Sequence, residues 1–154
     1  MDLFVHDRTG EDPQILEVDA TAVVRTLVAE DGSDAAVWVE EFDEEVDLDI
    51  NFEQAGIGHR HHVHRGHCRH VEVMVRFNRT FERAFGPAAT IKRVYAWASG
   101  PNGANLSPEQ AARHVLAIPG ADHFLDSGVH IGSLVTPGTC SVTLDLLPRE
   151  RFEG

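Results

Sequence analysis

The segment Pro148-Arg149-Glu150-Arg151-Phe152-Glu153-Gly154 carries the group best suited to chemistry, a main-chain carboxylate on a residue without a side chain. Glycine lets the backbone enter a narrow slot and leaves its carbonyl open to a nucleophile. A carboxylate is a poor electrophile. Such a terminus reacts once another protein has activated it, through covalent steps that are each easier than direct condensation. The chain then contributes position rather than catalysis. Arg149 and Arg151 are placed to steer the tail toward acidic or phosphate groups. With Glu150, Phe152 and Glu153 they form the strip that a partner enzyme would read. The expectation is a chain that is itself a substrate, with Gly154 as its point of conjugation.

A second cluster has the residue types of a metal site. His59, His61, His62, His64, His67 and Cys68 fall within ten residues, with His70 close behind. Imidazole and thiolate ligate zinc or nickel. In an extended strand His62 and His64 share a face and offer two ligands. A structural zinc site needs four, and no C-x-x-C or H-x-x-x-H pair is present. The reading is a polar, partly exposed strand with no metal or cofactor; the alternative is a site using His62, His64 and Cys68. Cys68 and Cys140 form no C-x-x-C pair and are too few for a disulfide framework. They read as two small apolar residues in a reducing compartment. No nucleophile elbow, phosphate loop or carboxylate pair marks an enzyme.

The elements that would position these groups come twice. Met1, Leu3 and Val5 alternate with Asp2, Phe4 and His6, a strand with one aliphatic face. Thr9-Gly10 and Glu11-Asp12-Pro13 turn the chain, and Ile15 to Val18 returns it as a hairpin. Asp19 and Thr21 can cap a helix carrying Val23, Val24, Leu27 and Val28, which Asp31-Gly32 stops. Ala36 to Val39 is a third strand and Glu40 to Asp47 an acidic, solvated loop. A helical turn over 48–57 and a strand over 61–68 follow. In the second half Val71, Val73, Val75 and Phe77 alternate, Asn78-Arg79 turns, and Phe81 and Phe85 lie on the returning strand. Thr90 caps a helix with Ile91, Val94, Tyr95 and Ala98 on one stripe. Ser107-Pro108 starts a second helix carrying Ala111, Val115 and Leu116. Segments 128–134 and 139–147 supply two strands, with Pro137-Gly138 turning between them.

The fold class expected is α+β, two tandem β-grasp units with a very short linker and a flexible C-terminal tail. The units are residues 1–68 and 69–148, and the tail is 149–154. Charge supports a boundary near 69. Residues 1–68 carry four arginines against seventeen carboxylates, and residues 69–154 carry nine bases against eight, within a net −12. The acidic half repels nucleic acid and attracts basic protein surfaces. Apolar stretches are far shorter than the ~20 residues a membrane span needs. Met1-Asp2-Leu3-Phe4-Val5-His6-Asp7 puts acid where a signal peptide carries base, so an unprocessed, cytoplasmic chain is expected. Lys92 is the sole lysine, which would limit self-conjugation to Lys92 and the N-terminal amine.

Met1-Asp2-Leu3-Phe4-Val5 with Thr9-Gly10 and Leu16-Glu17-Val18 resembles the first hairpin of ubiquitin. Pro87-Ala88-Ala89-Thr90-Ile91-Lys92-Arg93-Val94 is similar to the start of ubiquitin's helix. Together with His64 to Val73 and Tyr95-Ala96-Trp97-Ala98, the chain resembles the two-domain ubiquitin-like modifiers (Bil type) of bacterial antiphage operons. That resemblance implies an activating enzyme that adenylates the terminus with ATP, a conjugating enzyme that receives it as a thioester, lysine-bearing targets and a JAB-type isopeptidase. The departure is the single Gly154 after Phe152 and Glu153, where ubiquitin ends in a double glycine. The alternative is a non-covalent tandem binding module, tuned by metal through the histidine-rich strand.

Overall fold

The computed structural model describes residues 1–7, 12–28, 35–136 and 138–153. The strands form two mixed four-stranded sheets in an α+β arrangement, consistent with tandem ubiquitin-like domains. In the first half β1 (Asp2–His6), β2 (Gln14–Glu17), β3 (Ala36–Val39) and β4 (His62–Gly66) lie in the order β2-β1-β4-β3. In the second, β5 (Val71–Phe77), β6 (Arg79–Phe85), β7 (His114–Ala117) and β8 (Ser141–Pro148) lie in the order β6-β5-β8-β7. Both place a parallel pair at the centre, β1 with β4 and β5 with β8, flanked by antiparallel strands. The period-two alternation sends Leu3, Val5, Val37, Val39 and Val63 into one core and Val71, Val73, Val75, Leu144 and Leu146 into another. Asn78 takes the left-handed conformation (φ 57°) that the tight turn into β6 requires. The turns expected at Thr9-Gly10, at Asp31-Gly32 and at Pro137 lie outside the described residues.

Helix α1 (Ile91–Ser99) covers the second sheet as expected. The Thr90 hydroxyl accepts from the Arg93 amide, and Ile91, Val94 and Ala98 face the core. Trp97 meets Phe81 and Phe85 edge-on at 5.3 and 5.6 Å. The helix start is tied down by a short ladder. The Ile91 and Lys92 amides donate to Val129 and Ser127 carbonyls, and the Ile131 and Gly132 amides to Ala89 and Pro87. The first half repeats that ladder. Val24 and Arg25 donate to Ile50 and Leu48, and Phe52 and Glu53 to Ala22 and Ala20.

Four local expectations are corrected. The helix expected through Val23–Val28 is a single 3-10 turn, Val24–Leu27, whose cap position holds Val23 and therefore no side-chain acceptor. Segment 128–134 is not a strand, because its backbone groups hold the start of α1; it ends in the 3-10 turn Ile131–Ser133. Helix α2 is only Pro108–Ala111, with its capping box between Ser107 and Gln110. Val115 and Leu116 instead belong to β7, which covers the free edge of β8. Finally, Cys68 and Cys140 are bonded, 72 residues apart. The parallel pairing of β5 and β8 sets Glu72 opposite Ser141, and the Glu72 amide donates to the Cys140 carbonyl, so the approaches to both strands run side by side. The Cα atoms stand 5.7 Å apart, within the reach of a disulfide. A bonded pair removes the cysteine argument for a reducing compartment. No helix among the described residues is long and apolar enough to cross a membrane.

Candidate functional site

Strand β8 delivers the chain to its terminus. Beyond Pro148, residues Arg149–Phe152 form a 3-10 turn. The Arg149 amide donates to the Arg113 carbonyl at 2.7 Å. The Arg149 guanidinium lies 5.2 Å over the Phe124 ring, and Phe152 meets the same ring edge-on at 5.8 Å. One aromatic side chain thus holds the root of the expected tail. Arg149, Glu150, Arg151 and Glu153 are exposed and Phe152 is half-buried; Gly154 lies outside the described residues. An open cleft of about 540 Å³ adjoins the turn, lined by Glu109, Gln110, Arg113, His114, Glu150 and Glu153 among others. Nearby, Tyr95 donates its hydroxyl to the Ala111 carbonyl, and burial pushes its pKa up. The arrangement presents a short strip of alternating charge on a rigid base. Phe124 is the residue that sequence reasoning missed here, since an isolated phenylalanine in an irregular segment has no periodic signal.

The histidine-rich strand does something else. His62 and His64 share the face of the first sheet opposite its core, as alternation predicts, together with Phe4, His6, Ala36 and Trp38. That face is covered by the second half. Ala36, Trp38 and Ala88 form a small buried cluster of their own. Gly86 lies so close to Trp38 that a Cβ there would stand 2.5 Å from the indole. Gly132 lies as close to His64, 2.6 Å from the same construction. His6 stacks on His130 with ring centroids 3.8 Å apart, and His64 lies 5.6 Å from His130. The Nε2 of His130 is 2.8 Å from Glu40 Oε2, and the Nε2 of His6 is 2.8 Å from His62 Nδ1. Ser133 donates its hydroxyl to the Asp7 carbonyl.

Burial first, then the neighbouring imidazoles, pushes His6 down to about 4 and His64 to about 3. His130 is lowered by burial, with Glu40 opposing. The rings are neutral at pH 7.

The acidic loop meets this interface too. Asp43 pairs with Arg93 at 2.9 Å and Glu45 with Arg69 at 2.7 Å, which joins a negative segment of the first half to cations of the second. Part of the acidic run therefore lies against protein, the correction being to Glu40 and Glu45, while Asp43 stays exposed to solvent as expected. Cys68, grouped with His62 and His64 as a lesser metal alternative, is bonded to Cys140 and offers no thiolate. The partners that sequence reasoning missed are His6, Glu40 and His130. His6 and His130 each sit alone in their segments, Glu40 is one of a run of carboxylates, and only folding assembles them.

Residues 72–149, just over half of the 154, match the family model described as BilA ubiquitin-like domain 2. No curated protein matches the chain.

Proposed function

The chain belongs to the BilA ubiquitin-like family, and from that premise we propose that it is a protein modifier, activated and transferred through the carboxylate of Gly154. Family membership implies Bil-system partners. In this reading they are an ATP-dependent activating enzyme, a conjugating enzyme, a JAB-type isopeptidase and lysine-bearing targets, acting in bacterial antiphage defence. Residues 1–68 and 69–148 are its two ubiquitin-like units and residues 149–154 the segment its enzymes handle.

The observation that carries the reading is the family match running to residue 149, the root of an exposed strip that leads to a glycine. Phe124 fixes where that strip leaves the domain. Arg149, Glu150, Arg151 and Glu153 are open to an enzyme surface, with charges of both signs available for pairing. The missing side chain of Gly154 lets adenylate and thioester form with little hindrance. The sole lysine, Lys92, is exposed, while the N-terminal amine donates to the Val18 carbonyl at 2.8 Å. Self-conjugation would therefore favour Lys92.

The purified chain, ATP and the cognate enzymes should give a reductant-sensitive adduct on the activating enzyme. Removal of Gly154 should abolish it. An undiminished adduct with the shortened chain would discard the terminus, and dependence of partner binding on chelator instead of on Gly154 would favour the non-covalent module.

A further inference from the structure

We propose that the junction of the two halves is a divalent transition-metal site, with His6, Glu40 and His130 as ligands and zinc as the best-suited ion. One ligand atom from each of the three lies within 4.8 Å of the others. His6 comes from β1, Glu40 follows β3, and His130 comes from the loop that ties down α1. The set of two imidazoles and one carboxylate suits zinc, whose sites often hold three protein ligands and an open position. Ligands about 2.0 Å from a tetrahedral ion stand ~3.3 Å apart. His130 Nε2 and Glu40 Oε2 are already 2.8 Å apart. His62 Nδ1 adjoins the same space, 2.8 Å from His6 Nε2 and 3.9 Å from Glu40 Oε2.

Hydrophobic packing does not account for this grouping. His130 and His64 are 1% and 3% exposed, so two polar rings stand where packing alone would place apolar side chains. Three imidazoles, His6, His62 and His130, meet at one carboxylate, Glu40, and offer more nitrogen atoms than it can pair. A cation in their midst uses that excess. On binding, the ion replaces the proton shared by His130 Nε2 and Glu40, and the imidazole proton moves to Nδ1. The stacked rings of His6 and His130 must splay for their lone pairs to converge. The ion would bridge the two halves, so its occupancy would set how rigidly they are joined. This site is separate from the terminus and does not depend on the proposed conjugation.

The test uses the full chain, stripped with chelator and kept oxidised so that Cys68 and Cys140 offer no thiolate. Zn²⁺ is titrated against a chromophoric chelator, with Co²⁺ absorption reporting the coordination geometry. One ion per chain should bind and raise the melting temperature. Glu40→Gln keeps the shape and a hydrogen-bonding oxygen beside His130, so it should fold, and it should weaken binding about tenfold or more. His6→Gln should do the same. His67→Gln and His123→Gln, both exposed, should leave binding unchanged. Absence of saturable binding would overturn the proposal. So would binding that survives Glu40→Gln undiminished, or that is lost with His67→Gln, which marks adventitious capture by the histidine-rich segment.

Discussion

The two halves share one frame down to single hydrogen bonds, yet their sheets turn opposite kinds of face outward. On the first sheet the face away from the core carries Phe4, His6, Trp38, His62 and His64 and is covered by the second half. On the second sheet the corresponding face carries Glu72, Met74, Arg76, Thr143 and Asp145, with Arg76 and Asp145 joined in a two-pronged ion pair. Aromatic and imidazole groups make a junction between the halves, whereas a paired charge makes a surface for water. The ladder beside each helix start tells the same story from the other side. Its second-half copy presents Ala88, His130 and Gly132 to the first sheet, and its first-half copy ends in the exposed Glu53. One topology is thus divided by side-chain choice into a half that is clasped and a half that leads to the terminus.

The largest expected effect is at the clasp. Trp38→Ala empties a buried site and should cost ~3–5 kcal/mol in denaturant unfolding of the full chain. A cost under about 1 kcal/mol would mean that the halves do not depend on the indole. Gly132→Ala forces a Cβ against His64 and Pro87. It should cost ~1–3 kcal/mol by overpacking, while Gly128→Ala, with open space around it, should be near neutral. Equal costs at the two glycines would contradict the tight contact.

Acid should loosen the same junction. In chelator, His6 and His64 are held below the ordinary 6.5, at about 4 and about 3. The unfolded chain therefore binds protons first as pH falls. Their contribution to stability is complete above about 6.5 and is lost on descending toward 4 and then 3. Asp7 faces both rings and favours the charged form, while His130 opposes it at both, His62 at His6 and His6 at His64; Glu40 favours the charged form of the neighbouring His130. Unfolding midpoints measured across that window should fall more steeply than those of a His64→Gln variant; parallel curves would remove the histidines from the explanation.

The smallest effects test the helix starts. Thr90→Ala removes the cap of α1 and should cost ~1 kcal/mol. Val23→Thr supplies the missing acceptor at the matching place in the first half, where Val23 is 41% exposed and extended. It should stabilise by several tenths of a kcal/mol. A destabilised variant would show that the capless turn is set by its surroundings rather than by residue 23.

Much of this was legible in sequence wherever the signal was local. Alternation in Val71–Phe77, the Thr90 cap and the Ser107-Pro108 start each name their own structure, because one face or one hydrogen bond decides them. Val115 and Leu116 misled, since two apolar neighbours fit a helix stripe as well as a strand, and the free edge of β8 decided the matter. Val23 to Val28 had the right stripe without a cap. The disulfide was hidden because only strand pairing brings residues 68 and 140 together. The junction was half visible: the histidine-rich strand stood out, but His6, Glu40 and His130 acquire meaning only when the first sheet meets the ladder beside α1. At the terminus the residue types were legible and the anchor was not, because Phe124 lies in an irregular segment and meets Arg149 and Phe152 only after the chain has passed through β8.

The most direct measurement is a peptide map of a conjugate made with the cognate enzymes. Trypsin cuts after Arg151, so a target lysine modified through the terminus keeps Phe152-Glu153-Gly154 on its side-chain nitrogen. That three-residue remnant on lysine is the expected result. A conjugate joined through any other residue, or enzymes that bind the chain and form no covalent product, would contradict it.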